Sequence, residues 1–90
     1  MIKQLEHKNQ FVIITDKGTY FQSYESIIAF YPNNGDKIRL GKDWKRSATT
    51  LKHLRIFLED YCKYPVMKKS EIENAISNGK FIFDENLSID

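Results

Sequence analysis

Residues 43–58, DWKRSATTLKHLRIFL, contain the point at which a β-like pattern gives way to a helical one. From Ser47 onward, the apolar residues recur at the spacing of an amphipathic helix and cluster on one arc. These residues are Leu51, Leu54, Phe57, Leu58, Tyr61 and Cys62. Ser47 is a favourable N-cap and the residue preceding Pro65 disfavours helix, so we predict a helix from Ser47 to about Cys62.

The chain before this helix has the composition of β-strands. Segments rich in β-branched and aromatic residues predict strands at 11–15, 19–24, 26–31 and 37–41. The turn signals between them are Asp16-Lys17-Gly18, and Asn34-Gly35 after Pro32. Within the second strand, alternation is expected to place Tyr20 and Tyr24 on the same face.

The chain after the helix predicts a second helix and a last strand. Residues 70–79 begin with Ser70 and Glu73, the pattern of a capping box, and end on Asn78-Gly79, a typical C-terminal stop. Residues 80–83, KFIF, have the pattern of a short strand. The acidic end, residues 84–90, is predicted to be loose.

These elements predict one α+β domain over residues 1–90. Residues 1–42 are expected to be rich in strands and residues 47–79 to be helical. The sheet is expected to be antiparallel, with four to five strands, and to carry both helices on one face. A chain of 90 residues has room for one small core.

Composition indicates a soluble cytoplasmic protein with no membrane partner. The chain is 41% hydrophobic and 29% charged, as globular domains usually are. No apolar run approaches the roughly 18 residues that a membrane-spanning helix needs. The first ten residues lack the apolar core of a signal peptide. A single cysteine, Cys62, fits a reducing compartment.

The net charge of +2 is unevenly distributed along the chain. Residues 1–36 carry three Lys against four acidic residues, a net charge of −1. Residues 37–69 carry ten Lys or Arg against three acidic residues, a net charge of +7, and residues 70–90 carry one Lys against five, a net charge of −4. The basic middle is compatible with a nucleic-acid surface, an acidic protein partner or intramolecular charge balance.

No pattern in the sequence indicates an enzyme. His53 and Cys62 lie nine residues apart, which on one helix directs their side chains to opposite sides, so we expect Cys62 to be a buried apolar residue. The His and Cys residues are too few and too widely spaced to predict a metal site. No glycine-rich nucleotide-binding motif is present. We therefore expect no catalytic residues, no cofactor and no metal.

The start of the long helix is the candidate binding site. Lys45 and Arg46 precede a helix N-terminus, where cations are unfavourable for stability, and the free N–H groups of that turn can bind an anion. Ile56 adds an apolar residue among the charges of the outer helix face. The candidate residues are Lys42, Trp44, Lys45, Arg46, Ser47, Thr49, Thr50, Lys52, Arg55 and Ile56. The alternative is structural: Ser47 caps the helix, Trp44 belongs to the core and the cations are solvated.

Residues 18–80 resemble a group of small uncharacterised proteins encoded by bacteriophages and related mobile elements. The shared pattern is Ser23-Tyr24 in a strand, Trp44 near the helix start, Ser47-x-Thr49-Thr50 as the helix opening, and Phe57-Leu58 farther along. The first ten residues and the acidic end lie outside it. The resemblance implies a small phage accessory protein that acts on a factor of the bacterial host.

The sequence thus predicts a non-enzymatic phage or mobile-element accessory protein in the cytoplasm of a bacterial host. We expect it to bind a host or anti-phage-defence protein through the basic surface of residues 37–69. The alternative is direct nucleic-acid binding by the same surface, and a homo-oligomer is compatible with either hypothesis.

Overall fold

A β-meander forms the first half of the fold, and two helices lead from its end to a last strand. The computed structural model describes residues 1–4, 8–65 and 67–89. The strands in this part of the chain are β1 (Ile2–Gln4), β2 (Gln10–Ile14), β3 (Gly18–Ser23), β4 (Ser26–Pro32), β5 (Arg39–Leu40) and β6 (Ile82–Phe83). The helices are α1 (Ala48–Asp60) and α2 (Lys69–Ser77).

The strands form a mixed sheet in the order β1-β2-β3-β4-β5-β6. Pairs from β1 to β5 are antiparallel, whereas β5 and β6 are parallel. The parallel pair follows from connectivity, because α1 and α2 supply the long crossover that parallel neighbours need. The α+β class is confirmed, but the expected sheet of four to five antiparallel strands is wrong in strand count and in its last pairing.

The core lies between one face of the sheet and the helices. Val12, Phe21, Ala29 and Leu40 are partners along one register line across four strands, and all four are fully buried. Phe57 of α1 stacks on Phe21 with ring centroids 5.7 Å apart. Both helices therefore bury their apolar residues on the same face of the sheet, as the alternation of the strands predicts.

The opposite face of the sheet is partly covered by the C-terminal segment. Tyr20 and Phe30 stack there with ring centroids 4.4 Å apart, and Leu87 lies beside them. The segment is fixed to β5 because the Asp84 amide donates to the Leu40 carbonyl at 2.9 Å. Contacts of Asp84 and Leu87 thus attach the first part of the end predicted to be loose, residues 84–90, and Asp90 lies outside the described residues.

Helix α1 begins where its cap predicts. Ser47 is extended, with φ −145°, and its hydroxyl accepts the Thr50 amide at 3.1 Å. Leu54, Phe57 and Leu58 are fully buried, as the predicted apolar arc requires. The helix ends at Asp60, two residues before the predicted end at Cys62.

Helix α2 begins at a different residue from the predicted one. The amide of Lys68 donates to the Glu71 carboxylate at 2.9 Å, so Glu71, and not Glu73, is the acidic residue of the cap. Ser70 lies within the first turn, where the predicted capping box cannot form. The C-terminal stop is confirmed, since Gly79 adopts φ +81° directly after the helix.

Candidate partner-binding surface

The segment joining β5 to α1, residues 41–47, is held in place by its tryptophan; we call it the β5–α1 loop. Trp44 belongs to the core and is only 3% exposed. Two turns fold the loop, with the Trp44 amide donating to the Gly41 carbonyl and the Arg46 amide to the Asp43 carbonyl. Because the indole is turned inward, Lys42, Lys45 and Arg46 are left exposed on the outside.

A concavity of about 650 Å³ lies on one side of this loop; we call it the Tyr24 pocket. Its lining brings together the start of α1, the turn between β3 and β4, and the segment before β2. The lining residues are Asn9, Tyr24, Glu25, Ser26, Arg46 and Ser47. Most of these residues are polar or charged, so the pocket can accept a hydrogen-bonding or charged group.

Tyr24 has an unusual backbone at the mouth of the Tyr24 pocket. The β3–β4 connection has only two residues between the paired Ser23 and Ser26, and Tyr24 has φ +56° there. Its amide donates to the Asn9 carbonyl at 2.6 Å. Asn9 also has a positive φ, of +66°. The side chain is 49% exposed. A left-handed, half-exposed aromatic residue is costly for the fold, because bulky side chains rarely adopt positive φ.

Arg46 covers the ring of Tyr24. Its guanidinium carbon lies 5.7 Å from the ring centroid, within cation–π range. The Arg46 Nη1 atom donates to the Ser26 hydroxyl at 3.3 Å and lies 3.9 Å from the Asp43 carboxylate. Ser26 in turn donates to Asp43 at 2.8 Å. Arg46 is thereby oriented toward the pocket, although Asp43 balances part of its charge.

A chain of hydroxyl groups runs inward from the Tyr24 pocket. The Ser47 hydroxyl bonds to that of Thr50 at 3.1 Å, and the Thr50 hydroxyl lies 2.9 Å from that of Ser23. Thr50 and Ser23 are fully buried. Thr50 was included in the candidate binding set, but its hydroxyl is buried and connects the helix to the sheet. Four residues of the pattern shared with the phage proteins nevertheless meet at one corner: Ser23, Tyr24, Ser47 and Thr50.

Gln10 lies next to this chain on the same face of the sheet, since it is the register partner of Ser23. Its side chain is fully buried, and neither its amide nitrogen nor its amide oxygen has a hydrogen-bond partner within the described structure. A buried amide without partners costs stability. Nothing in the sequence pattern singles out this position.

His53 and Cys62 are buried in separate surroundings. The Nδ1 atom of His53 lies 2.9 Å from the Thr49 carbonyl oxygen within α1. Burial raises the pKa of the Cys62 thiol from 9.0 to about 12. The thiol therefore stays protonated at neutral pH. The prediction that Cys62 is a buried apolar residue is confirmed, since it is 5% exposed within the core.

A second concavity, of about 320 Å³, lies on the other side of the β5–α1 loop; we call it the Trp44 groove. It opens between the loop, α2 and the end of β6. The lining residues are Lys42, Trp44, Lys45, Glu73, Ile76 and Phe83. Lys45 reaches across to Glu73, with a nitrogen–oxygen distance of 3.0 Å. The groove thus has apolar walls and a charged rim.

The structure brings only part of the predicted set together. Lys42, Lys45, Arg46 and Ser47 share the β5–α1 loop, whereas Trp44 is buried in the core, as the structural alternative for this residue stated. Thr49 is half-buried, and Lys52 is exposed farther along α1.

Ile56 is also half-buried, which corrects its expected exposure on the outer face of α1. Arg55 is half-buried too, and its Nε atom is buried without a hydrogen-bond partner among the described residues. Asn9, Ser26, Ile76 and Phe83 were not predicted, because they are distant in the chain. Tyr24 was predicted to lie inside a strand, although the pair Tyr24-Glu25 between two serines was an available turn signal.

Two further features bear on the class of protein. No group of three or more His, Cys, Asp or Glu residues in the described part of the chain could hold a metal ion. Within the same residues, no helix combines the length and apolarity needed to span a membrane.

Comparison with known proteins identifies the family. Residues 3–74 match the model of DUF8033, a family of unknown function. This match spans most of the chain, and the protein belongs to that family. No curated protein and no solved structure matches the chain.

Proposed function

We propose that this member of the DUF8033 family is a non-enzymatic accessory protein of a bacteriophage or mobile element. In this proposal it acts in the bacterial cytoplasm and binds a host or anti-phage-defence protein. The phage context rests on the sequence resemblance of residues 18–80. The binding surface rests on geometry and consists of the Tyr24 pocket and the exposed side chains of the β5–α1 loop.

The observation that carries the proposal is the conformation of Tyr24. Holding a bulky residue at φ +56° costs on the order of 1–3 kcal/mol, and such strain clusters at functional sites. The side chain gains little from its own fold, because it is half-exposed. Tyr and Arg are also the residue types enriched at the energetic centres of protein interfaces. Tyr24 under Arg46, beside a concavity, is therefore a suitable anchor.

The pocket favours a carboxylate from the partner. Arg46 faces it, and Ser47 lies at its edge at the start of α1. The first turn of α1, described in full, contains no Asp or Glu that would repel an anion, although Glu25 of the β3–β4 turn also lines the pocket. Arg46 lies 3.9 Å from Asp43, and both side chains are partly exposed, so Arg46 can exchange Asp43 for a partner carboxylate at little cost.

A protein partner is favoured over nucleic acid because several cations of residues 37–69 are already paired. Arg39 lies 3.6 Å from Asp84, Lys45 lies 3.0 Å from Glu73, and Arg46 lies 3.9 Å from Asp43. The first two pairs join the basic middle of the chain to its acidic last part. Part of the positive charge of this surface is thus balanced within the molecule, which weakens its attraction for phosphates.

Affinity capture from a bacterial lysate, with and without nuclease, tests this function. We expect the wild-type protein to retain a specific protein after nuclease treatment. Tyr24→Asn and Arg46→Glu should lose that protein, because they remove the aromatic anchor and reverse the charge. Lys17→Glu is the matched control, since Lys17 is exposed in the turn at the opposite end of β3. Equal loss in all three variants would contradict the proposal.

The alternative, nucleic-acid binding, gives a different result. Binding through the exposed lysines would weaken steeply with salt, with a log–log slope of roughly −3 to −5 for the cations of this surface. A gel shift with that slope, together with nuclease-sensitive capture, would replace the protein-partner proposal. Absence of any retardation at low salt would eliminate the alternative.

A further inference from the structure

The Trp44 groove combines an apolar interior with a basic rim. Its apolar lining residues are Ile76 of α2, Phe83 of β6 and the small exposed part of Trp44. Phe83 is 48% exposed, a large aromatic area for a residue in a strand. Lys42 is exposed at the rim. An apolar centre within a polar rim is the usual anatomy of a protein interface.

The charges at the rim favour an acidic occupant. Among the residues that the structure describes, Lys42 takes part in no ion pair. Lys45 pairs with Glu73, but the two side chains are 47% and 44% exposed, so the pair contributes little to stability. Lys45 also lies 5.4 Å from the centroid of the Trp44 ring. Both lysines are therefore available to a carboxylate that approaches the groove.

The backbone beside the groove is open to pairing. β6 is the last strand of the sheet and pairs with β5 on one side. The amides of Ile82 and Asp84 donate to the carbonyls of Ile38 and Leu40. Because backbone groups alternate along a strand, the N–H and carbonyl of Phe83 are directed away from β5. An extended segment can pair with Phe83 and place a side chain in the groove, as in strand addition to a sheet edge.

We propose that the Trp44 groove binds an extended acidic segment of the partner protein. One apolar side chain of that segment lies between Trp44, Ile76 and Phe83, and a neighbouring carboxylate binds Lys42. The inference rests on the proposed function and assigns to the same partner a second contact, on the other side of the β5–α1 loop from the Tyr24 pocket.

An NMR titration with synthetic peptides tests the groove directly. Trp44 is the single tryptophan of the chain, so its indole N–H signal reports on this place alone. The probe is a short peptide of alternating glutamates with one central phenylalanine. We expect saturable shifts of the Trp44 indole signal and of the Phe83 amide. The same peptide with lysine in place of glutamate, or with alanine in place of phenylalanine, should produce neither shift.

Charge reversal at the rim provides the matched comparison. Lys42→Glu should weaken peptide binding about tenfold or more, whereas Lys17→Glu, with the same charge change at a distant turn, should leave it unchanged. Equal binding of the acidic and basic peptides, or no shift at Trp44 and Phe83, would overturn the groove proposal.

Shifts confined to Asn9, Tyr24 and Ser26 would also overturn it, while leaving the proposed function intact. Failure of the proposed function is seen separately, as loss of specific capture from lysate. Failure of the groove proposal can therefore be distinguished from failure of the proposed function.

Discussion

At the scale of single residues, two unfavourable positions of the structure lie at the same corner. Tyr24 has a left-handed backbone on the surface, and Gln10 has a buried amide without hydrogen-bond partners in the described structure. Both are connected to the start of α1, Tyr24 through Arg46 and Gln10 through its register partner Ser23. These two positions therefore lower the stability of the fold at the corner where we propose binding, as expected when selection acts on function.

Tyr24→Asn tests the strain at the surface position. Asn tolerates positive φ far better than Tyr, so we expect the free energy of unfolding to be unchanged or raised by about 1 kcal/mol. The change should abolish partner capture at the same time. Denaturant unfolding measures the first effect. A loss of stability greater than about 1 kcal/mol would show that the Tyr24 ring supports the fold instead.

Gln10→Met tests the buried position. The substitution keeps the volume but removes an unpaired amide, so we expect a gain of about 1–3 kcal/mol in unfolding free energy. Gln22→Met on the next strand is the comparison, because Gln22 donates to the Tyr24 carbonyl at 2.6 Å and should lose stability on substitution. A destabilised Gln10→Met variant would mean that this amide is hydrogen-bonded in solution.

At the scale of elements, the sequence predicted the features that depend on residues close together in the chain, such as helix caps and the spacing of apolar residues. The cap at Ser47 and the apolar arc of α1 were sufficient to define that helix. β1 was missed because its three residues are exposed and too few to show alternation. The start of α2 was misplaced because Glu71 and Glu73 both fit a cap pattern, and the structure uses Glu71. Tyr24 was assigned to β3 because its β propensity outweighed the turn signal.

The start of α1 gives a prediction at this scale. Ser47→Ala should cost about 0.5–2 kcal/mol, because the Thr50 amide loses its acceptor and the hydroxyl chain is broken. Lys45→Ala and Arg46→Ala should each change stability by less than about 1 kcal/mol, because both ion pairs are exposed. Thermal melts compare the three variants. A larger effect from either cation would show that the cations are structural.

At the scale of the whole molecule, some of the charges that are segregated along the sequence pair with one another in the fold. The basic middle pairs with the acidic last part through Arg39–Asp84 and Lys45–Glu73. The sequence allowed this outcome but could not select it, because the pairs depend on which strands and helices become neighbours. For the same reason the Trp44 groove, which combines the loop, α2 and β6, was beyond sequence reasoning.

The core also sets a pH dependence for the molecule. The pKa of Cys62 rises from 9.0 to about 12 on folding, so the folded state keeps a proton that the unfolded state loses. Stability is therefore lost as pH rises above 9.0, by about 1.4 kcal/mol per pH unit until about pH 12.

Cys62→Ala should lack this dependence, and chemical denaturation at pH 8 and 10 measures the difference. The pKa of Tyr64 is raised too, chiefly by burial and less by Cys62, so the larger part of the Tyr64 contribution is common to both proteins. Parallel pH profiles for wild type and Cys62→Ala would contradict the assignment of the titrating group.

The affinity of the purified partner for Arg46→Glu tests the central claim most directly. Isothermal titration calorimetry should give a dissociation constant at least about 30-fold weaker than that of the wild type, because a charge facing a carboxylate is reversed. Lys17→Glu, with the same change in net charge, should bind within about threefold of wild type. Equal weakening in the two variants, or none in Arg46→Glu, would contradict partner binding at the corner formed by Tyr24, Arg46 and the start of α1.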